Sequence, residues 1–513
     1  MKSFAACPPG RKFGGPLWVR WFAALSCGLF IAAVSAVVAA EPEVRPNIVL
    51  IIADDLAWDD VGAFGHPTIR TPHIDRLARD GMRFDAAFVT ASSCSPSRSS
   101  LITGRYPHNT DAEQLHWPLP AAQATFLEPL RAAGYWTGAA GKWHLGADAK
   151  RRFDVVKEAD PAGYSLPEVA AAGGLKMLTK GGGDIQSGCT DWVPLLRERP
   201  RDRPFFAWLA ALDPHRDYEE KISADPTRSE NVIVPRHLPD TPGVRKELAL
   251  YYDEIERLDR FVGAVMEELE VQRVADKTMV IFLSDNGRPF PRDKTTVYDG
   301  GIKTPLIVRW PGRAVPGSTC SQLVSTIDLA PGFFAAAGLN PLPTMQGVNF
   351  LPLLADPRTP IRREIFAEHN WHDFEARSRA IRTEYFKLIV NDYPDLPLTP
   401  PADALRGVAF REMQRLRDSG GLSLEQQQCF AAPRAPVELY DLRSDLGEFN
   451  NVAVQPAYAA TVSALKARLD QWRKDTGDIA PARRTADEFD RETGAPLPNR
   501  KRPRPSKAEM ARG

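Results

Sequence analysis

Three runs of this chain are apolar throughout, and each stops at polar residues able to do chemistry. Asn47-Ile-Val-Leu-Ile-Ile-Ala53 stops at Asp54-Asp55, Pro204-Phe-Phe-Ala-Trp-Leu-Ala-Ala211 leads to Asp213-Pro214-His215, and Thr278-Met-Val-Ile-Phe-Leu283 leads to Ser284-Asp285-Asn286-Gly287. A strand without polar alternation is buried on both faces, and a parallel sheet covered by helices is the arrangement that buries it. The covering helices are legible as well. Between Thr71 and Gly81, Thr71 can cap, Pro72 suits the first turn, Ile74, Leu77 and Ala78 share a face, and Gly81 ends the run. From Arg245 to Glu270, Leu248, Tyr252, Ile255, Leu258 and Val262 recur at helical spacing. The expectation is an α/β fold.

The chain has 513 residues, enough for two or three domains or for one large domain with an appendage. The α/β rhythm occupies residues 45–355 and weakens beyond them. Val437-Glu-Leu-Tyr-Asp-Leu-Arg443, followed by a helix from about Ala457 to Lys474, predicts a smaller α+β domain over 356–478. From about Pro481 the chain is polar and ends in a basic cluster, Arg500, Lys501, Arg502, Arg504, Lys507 and Arg512, so 481–513 is expected to be a disordered tail.

Residues 1–40 follow a different design. Lys2, Arg11, Lys12 and Arg20 precede an apolar run from Trp21 to about Ala40, as in an export signal. The run also reaches the roughly 20 residues that span a bilayer, so an uncleaved anchor is the other reading. Either way the rest of the chain is expected outside the cytoplasm, periplasmic or extracellular, with no other membrane contact. The 65 basic and 65 acidic side chains balance, so no global field attracts nucleic acid, and an anion site must make its own field. Of six cysteines, Cys7 and Cys27 fall in the leader. Cys94, Cys189, Cys320 and Cys429 are too widely spaced for a disulfide framework, and no disulfide is expected.

In open α/β sheets ligands bind beyond the carboxyl ends of the strands. If the strands ending at Asp54-Asp55 and Asp285-Asn286 are adjacent, three carboxylates and an amide oxygen meet, a set that suits a hard cation such as Ca²⁺ or Mg²⁺. Gly141-Lys142-Trp143-His144 follows another strand-like run. If that run is still extended, Lys142, for an anion, and His144, for proton transfer, share a side. His215, after the third run, offers a second proton-transfer group.

Cys94 stands in Ala91-Ser-Ser-Cys-Ser-Pro-Ser-Arg-Ser-Ser-Leu-Ile-Thr-Gly-Arg105. Pro96 suits the first turn of a helix running to Gly104, which places Cys94 beside unpaired backbone N–H groups, where tetrahedral anions bind and thiol pKa values fall. Arg98, one turn on, can grip an oxyanion. A cysteine phosphatase would carry arginine six positions after the cysteine, where this chain has Ser100. These residues point to an exported, metal-dependent hydrolase of a tetrahedral anion.

Cys94-Ser95-Pro96-Ser97-Arg98 followed by Leu101-Ile102-Thr103-Gly104-Arg105 resembles the signature of the type I sulfatases, in the alkaline phosphatase superfamily. The resemblance covers roughly residues 45 to 475. It implies an alkaline-phosphatase-like mixed, mostly parallel sheet sandwiched by helices. It also implies oxidation of Cys94 by a maturation enzyme to Cα-formylglycine, whose hydrate attacks sulfur. By the same likeness Asp54, Asp55, Asp285 and Asn286 hold one Ca²⁺ together with the modified Cys94, and Arg98 stabilises the formylglycine. Lys142 and Lys294 grip sulfate, His144 breaks the covalent sulfate, and His215 lies near the leaving group.

Within the sulfatases the chain is most similar to the heparan N-sulfatases, or sulfamidases. The likeness rests on Ser92-Ser93-Cys94-Ser95-Pro96-Ser97-Arg98, Arg203-Pro-Phe-Phe206 with Asp213-Pro-His-Arg216, Val234-Pro235 with Leu238-Pro-Asp-Thr-Pro242, and Ser284-Asp-Asn-Gly287 before Pro289-Phe-Pro291. It departs at Lys294, where that group tends to carry arginine, and at Leu212, where it tends to carry histidine. The implied substrate is a sulfated sugar or glycan, with N-sulfoglucosamine or a heparan-type end favoured. An O-sulfatase, a phosphonate or phosphodiester hydrolase, and a glycan-binding protein with unmodified Cys94 are the other readings. His369, Trp371 and His372 fall where sulfatases often contribute substrate contacts, with Trp371 placed to stack on a sugar face. His108 and His116 are further candidates.

Overall fold

The computed structural model describes residues 45–159, 183–218, 220, 222–223 and 225–498. The leader, and the basic cluster from Arg500 onward, lie outside the described residues. Among the described residues, no helix is long and apolar enough to cross a membrane.

Eight strands form the main sheet: β1 (Asn47–Ala53), β2 (Met82–Phe84), β3 (Trp136–Gly141), β4 (Val155–Glu158), β5 (Phe205–Ala210), β6 (Thr278–Ser284), β7 (Leu306–Arg309) and β8 (Ser318–Cys320). Their order is β4-β3-β5-β1-β6-β7-β2-β8. Only β7 runs against its neighbours, so the sheet is mixed and mostly parallel. The three apolar runs are the adjacent central strands β5, β1 and β6, and every residue in them is buried.

Two hydrophobic layers explain that burial. Val49, Ile51 and Ala53 face α3 (Pro242–Val271) through Leu248, Tyr252, Ile255, Leu258 and Val262, after α1 (Pro72–Arg79) and α2 (Cys94–Thr103) earlier in the chain. Ile48, Leu50 and Ile52 face the other layer, with Leu101 and Ile102 of α2 and Phe333 and Phe334 of α4 (Leu329–Ala336). Apolar residues on both faces of one strand are thus matched by helices on both sides.

The C-terminal part holds an antiparallel sheet of β9 (Glu364–His369), β10 (Ser378–Thr383), β11 (Phe386–Asn391) and β12 (Val437–Asp441), in that order. Between the last two strands lie α5 (Ala402–Arg406) and α6 (Val408–Asp418). After them, α7 (Ala459–Thr476) packs Leu465, Leu469 and Trp472 on Ile381, Leu388 and Leu439. The change near 355 is a change of sheet, not a break in packing: the described residues form one compact unit. Glu368 of β9 donates its N–H to Thr90 O at 2.8 Å, just ahead of Cys94.

The expected disordered tail needs correction over its first half. Phe489 buries with Phe374, Ala402, Leu405 and Phe410. Arg484 pairs with Asp395 at 2.7 Å and Arg491 with Asp487 at 2.7 Å, and Glu488 N–H reaches Asp373 O at 2.9 Å. Polar composition hid one aromatic anchor and a set of reciprocal charges.

Candidate active site

The register of β1 against β6 pairs Ala53 with Ser284, so Asp54-Asp55 and Asp285-Asn286 leave the sheet side by side. Asp285 N–H closes on Ala53 O at 3.1 Å and Asp54 N–H on Asp213 O at 3.0 Å, which ties the ends of β1, β6 and β5 together. α2 delivers Cys94 as its first residue, capped by extended Ser93, with Ser97 N–H on Ser93 O at 2.9 Å. Cys94 Sγ stands 3.4 Å from Asp54 Oδ1 and 3.9 Å from Asp55 Oδ1.

Three cations answer three carboxylates here. Arg98 Nε donates to Asp285 Oδ2 at 2.8 Å, Lys294 Nζ to Asp55 Oδ2 at 2.7 Å, and Lys142 pairs with Asp54. Asp54, Asp55, Asp285, Arg98 and Lys294 are almost wholly buried, so these pairs form in a poorly screened interior. Burial raises the carboxyls of Asp55 and Asp285 above the ordinary range, in spite of the cations beside them. For Lys294, burial favours the neutral amine, but Asp55 first among the nearby anions more than reverses it, and its pKa lies well above the usual lysine value.

Ligand atoms of Asp54, Asp55, Cys94 and Asp285 lie within 4.8 Å of one another. Asn286 Nδ2 donates to Asp55 Oδ1 at 2.6 Å, while its Oδ1 is buried with no hydrogen-bond partner among the described residues. His215 also comes within 4.8 Å of Asp55 and Cys94, but three carboxylates and an orphaned amide oxygen make a mainly oxygen set that fits a hard cation of the Ca²⁺ type.

The expectation that the helix start lowers the Cys94 pKa is overturned. Burial pushes the thiol well above its ordinary value, with Lys142 and Lys294 opposing and Asp54 and Asp285 reinforcing. A protonated thiol is a poor nucleophile and a poor hard-metal ligand.

Lys142 and His144 do reach the site, but not along an extended strand. β3 ends at Gly141, at φ +97, where a side chain would collide with the Ala210 carbonyl, and His144 itself has φ 59. His144 Nε2 lies 2.6 Å from His116 Nδ1, and His116 N–H reaches Ser95 Oγ of α2 at 2.8 Å. Burial first, then His116, Lys142, Arg98 and Lys294, hold His144 well below the usual histidine pKa, so it is neutral. His215 Nε2 stands 3.6 Å from Asp55 Oδ2, on a turn held by Arg257, whose Nε and Nη2 grip Asp213 at 2.7 and 2.6 Å.

The remaining candidates divide. His372 Nδ1 is 2.8 Å from Ser93 Oγ, next to Cys94. His369 is buried at the end of β9 and shares a small cavity with His372 and Phe374. His108 belongs to a separate interior cluster, stacked on Tyr106 and 3.1 Å from Glu368 Oε1. Trp371 is buried and donates Nε1–H to Ala486 O at 3.0 Å, so it cannot stack on a sugar as expected. Leu212 is buried against Gly188. One acidic residue was missed: Asp403 of α5, whose Oδ2 lies 3.7 Å from His215 Nε2. In the sequence it reads as an ordinary first-turn acid.

A mixed, mostly parallel sheet between helices, with its charged groups gathered at the carboxyl ends of the central strands, is the architecture of the alkaline-phosphatase-like hydrolases. The chain belongs to the sulfatase family, whose model matches residues 46–339, and a model for the N-sulphoglucosamine sulphohydrolase C-terminal region matches residues 290–395. It is 28% identical over 482 residues to an ulvan-active sulfatase of Formosa agariphila, covering 85% of this chain and 76% of that protein. It is 29% identical over 481 residues to N-sulphoglucosamine sulphohydrolase of Homo sapiens, covering 85% and 91%. Among solved structures, an enzyme in complex with its substrate D-glucosamine-2-N,6-O-disulfate superposes with a TM-score of 0.63 at 21% identity, covering 85% of this chain and 99% of that one.

Proposed function

We propose that this chain is an exported sulfatase that releases sulfate from N-sulfoglucosamine or a heparan-type chain end. It would use one Ca²⁺ held by Asp54, Asp55, Asp285 and Asn286, and a Cα-formylglycine formed from Cys94 by a maturation enzyme. The observation that carries this reading is the position of Cys94 at the start of α2, with three carboxylates and three cations packed around it. The modified residue would supply the attacking hydroxyl that the protonated thiol cannot. Lys142 and Lys294 bind sulfate oxygens, Arg98 orients the nucleophile, His144 accepts a proton, and His215 gives one to the departing nitrogen or oxygen. The apolar leader supports export, and the match to the human sulphohydrolase over 85% of the chain supports the amino sugar.

Leu212 favours a second reading. The heparan N-sulfatases tend to carry histidine there, and in this chain the side chain is buried. Without that polar group an O-sulfatase of another polysaccharide follows. Sulfate release from N-sulfoglucosamine and from 6-O-sulfated glucosamine, with matured protein and Cys94→Ala as blank, separates the two. Release from the N-sulfated sugar is expected; release from the O-sulfated sugar alone refutes the amino-sugar assignment. Activity retained by Cys94→Ala refutes the mechanism.

A further inference from the structure

The carboxylates around Cys94 differ in exposure. The side chains of Asp54, Asp55 and Asp285 are at most 2% exposed, whereas that of Asp403 is 20% exposed. Asp403 is therefore the most open of these carboxylates to a bound sugar. Its Oδ1 accepts the Ala404 N–H at 2.7 Å, and its Oδ2 faces His215 Nε2, the group placed to protonate whatever leaves sulfur. Asp403 thus stands on the leaving-group side.

Its position is enforced from the catalytic half of the chain. Glu247 of α3 accepts the N–H groups of Val408 and Ala409 at 3.0 and 2.8 Å, at the start of α6. The same carboxylate pairs with Arg216, the residue after His215, and Arg216 Nε donates to Pro289 O at 2.7 Å, close behind Asn286. A Cβ on Gly407 would stand 2.6 Å from Arg216 Nη1 and 2.7 Å from Glu247 Oε1, so the α5–α6 junction sits directly on this pair. Ala404 and Leu405 are fully buried and leave α5 no room to turn. A surface acid would need no such anchoring.

Charge explains the use. The three site carboxylates are answered by Arg98, Lys142 and Lys294, which leaves Asp403 as the carboxylate facing His215. Its charge lies beside His215, the group that would protonate the departing atom. An amine freed there takes up a proton, and an ammonium beside a carboxylate makes a charge-assisted hydrogen bond. A carboxylate or second sulfate in the same place is repelled.

We infer that Asp403 is a specificity-determining residue, its Oδ2 receiving the N–H donors of an amino-sugar leaving group and disfavouring substrates that carry an anion at that point. This rests on the sulfatase reading of the Cys94 site, and the test separates the two. Glucosamine and glucose differ only at C2, an amine in one and a hydroxyl in the other, so their dissociation constants, measured by calorimetry at pH 7, report on Asp403 without turnover. The wild-type protein is expected to prefer glucosamine about tenfold. Asp403→Asn is expected to bring the ratio below about twofold and Asp403→Glu to keep most of it, since only the latter retains the charge. In turnover, Asp403→Asn should lower kcat/KM for N-sulfoglucosamine about tenfold or more, and for 4-nitrophenyl sulfate, which has no amine, less than about threefold. An unchanged ratio in Asp403→Asn, no preference in the wild type, or equal losses on both sulfates overturns the inference. Failure of matured wild type to hydrolyse 4-nitrophenyl sulfate would count against the sulfatase reading, while the binding ratio would still decide the role of Asp403.

Discussion

Replacing Lys294 by alanine tests the charge balance of the site. Its Nζ lies 2.7 Å from Asp55 Oδ2 and both side chains are at most 1% exposed. Removing one partner of a buried pair leaves an uncompensated charge and costs about 3–5 kcal/mol. Unfolding entropy of about 2.1 cal/mol/K per residue gives a unit of this size about 1 °C per kcal/mol, so Tm should fall by about 3–5 °C in calcium-free buffer at pH 8. A divalent cation among Asp54, Asp55 and Asp285 would replace the missing charge, so calcium should raise Tm more in Lys294→Ala than in the wild type. Lowering the pH should help too. Burial already raises the Asp55 carboxyl, and losing Lys294 raises it further, so the variant's deficit grows as pH rises above the unfolded value near 3.8 and shrinks as Asp55 takes up a proton. Lys294→Arg keeps the charge and should stay within about 1 °C of wild type. Differential scanning fluorimetry with EDTA and with calcium, at pH 8 and 5.5, reads all of this. A calcium-free Tm for Lys294→Ala equal to wild type, or an identical calcium increment in both, would refute the reasoning.

Two further outcomes follow from backbone and burial. Gly141→Ala should give little folded protein and no sulfate release, because φ +97 and the Ala210 carbonyl both exclude a Cβ; a Tm within about 2 °C of wild type would contradict this. Asp259 accepts the N–H groups of His73 and Ile74 at 3.1 and 2.7 Å at the start of α1, and burial raises its carboxyl to about 7. The folded state then holds a proton that the unfolded state loses near pH 3.8, so stability should fall as pH rises from about 4 through 7. Asp259→Asn keeps an acceptor and should flatten that slope; parallel Tm-against-pH curves for the two proteins would refute it.

What was legible in the sequence was what strand burial dictates. The apolar runs ending at Ala53 and Leu283 could pair only inside a covered parallel sheet, and a shared register brought Asp55 and Asn286 within hydrogen-bond reach. Cys94 was legible because Pro96 and Gly104 mark a helix that starts beside it. His144 was found by a wrong route: the chain turns at Gly141 instead of staying extended, so facing direction could not be read from alternation. Trp371 misled because a solvent-facing aromatic and one roofed by a distant segment look alike in sequence, and its roof includes Ala486, in a stretch whose composition reads as solvated. Asp403 left no local signal at all. Its meaning comes from His215 and from the Glu247–Arg216 pair that carries α6, contacts between segments far apart in the chain.

On the function proposed above, the same long-range contacts bear on why Cys94 would have to be modified before it acts. Around an unmodified Cys94 every charge is already answered: Lys142 by Asp54, Lys294 by Asp55, Arg98 by Asp285. The two lysines are spent on carboxylates, and the thiol is held protonated by its burial. On the function proposed above, a divalent ion among the three carboxylates would relieve both lysines of their partners at once and leave two buried cations for a sulfate anion. Metal binding and sulfate binding are then one electrostatic event, and linkage requires each to strengthen the other. Calcium affinity should therefore rise when inorganic sulfate is present, and it should rise less in Lys294→Ala, where one of the relieved cations is missing. Titration of the calcium-free protein with calcium, with and without sulfate, measures that coupling directly, and equal coupling in the two proteins would mean that Lys294 never turns from Asp55 to the anion.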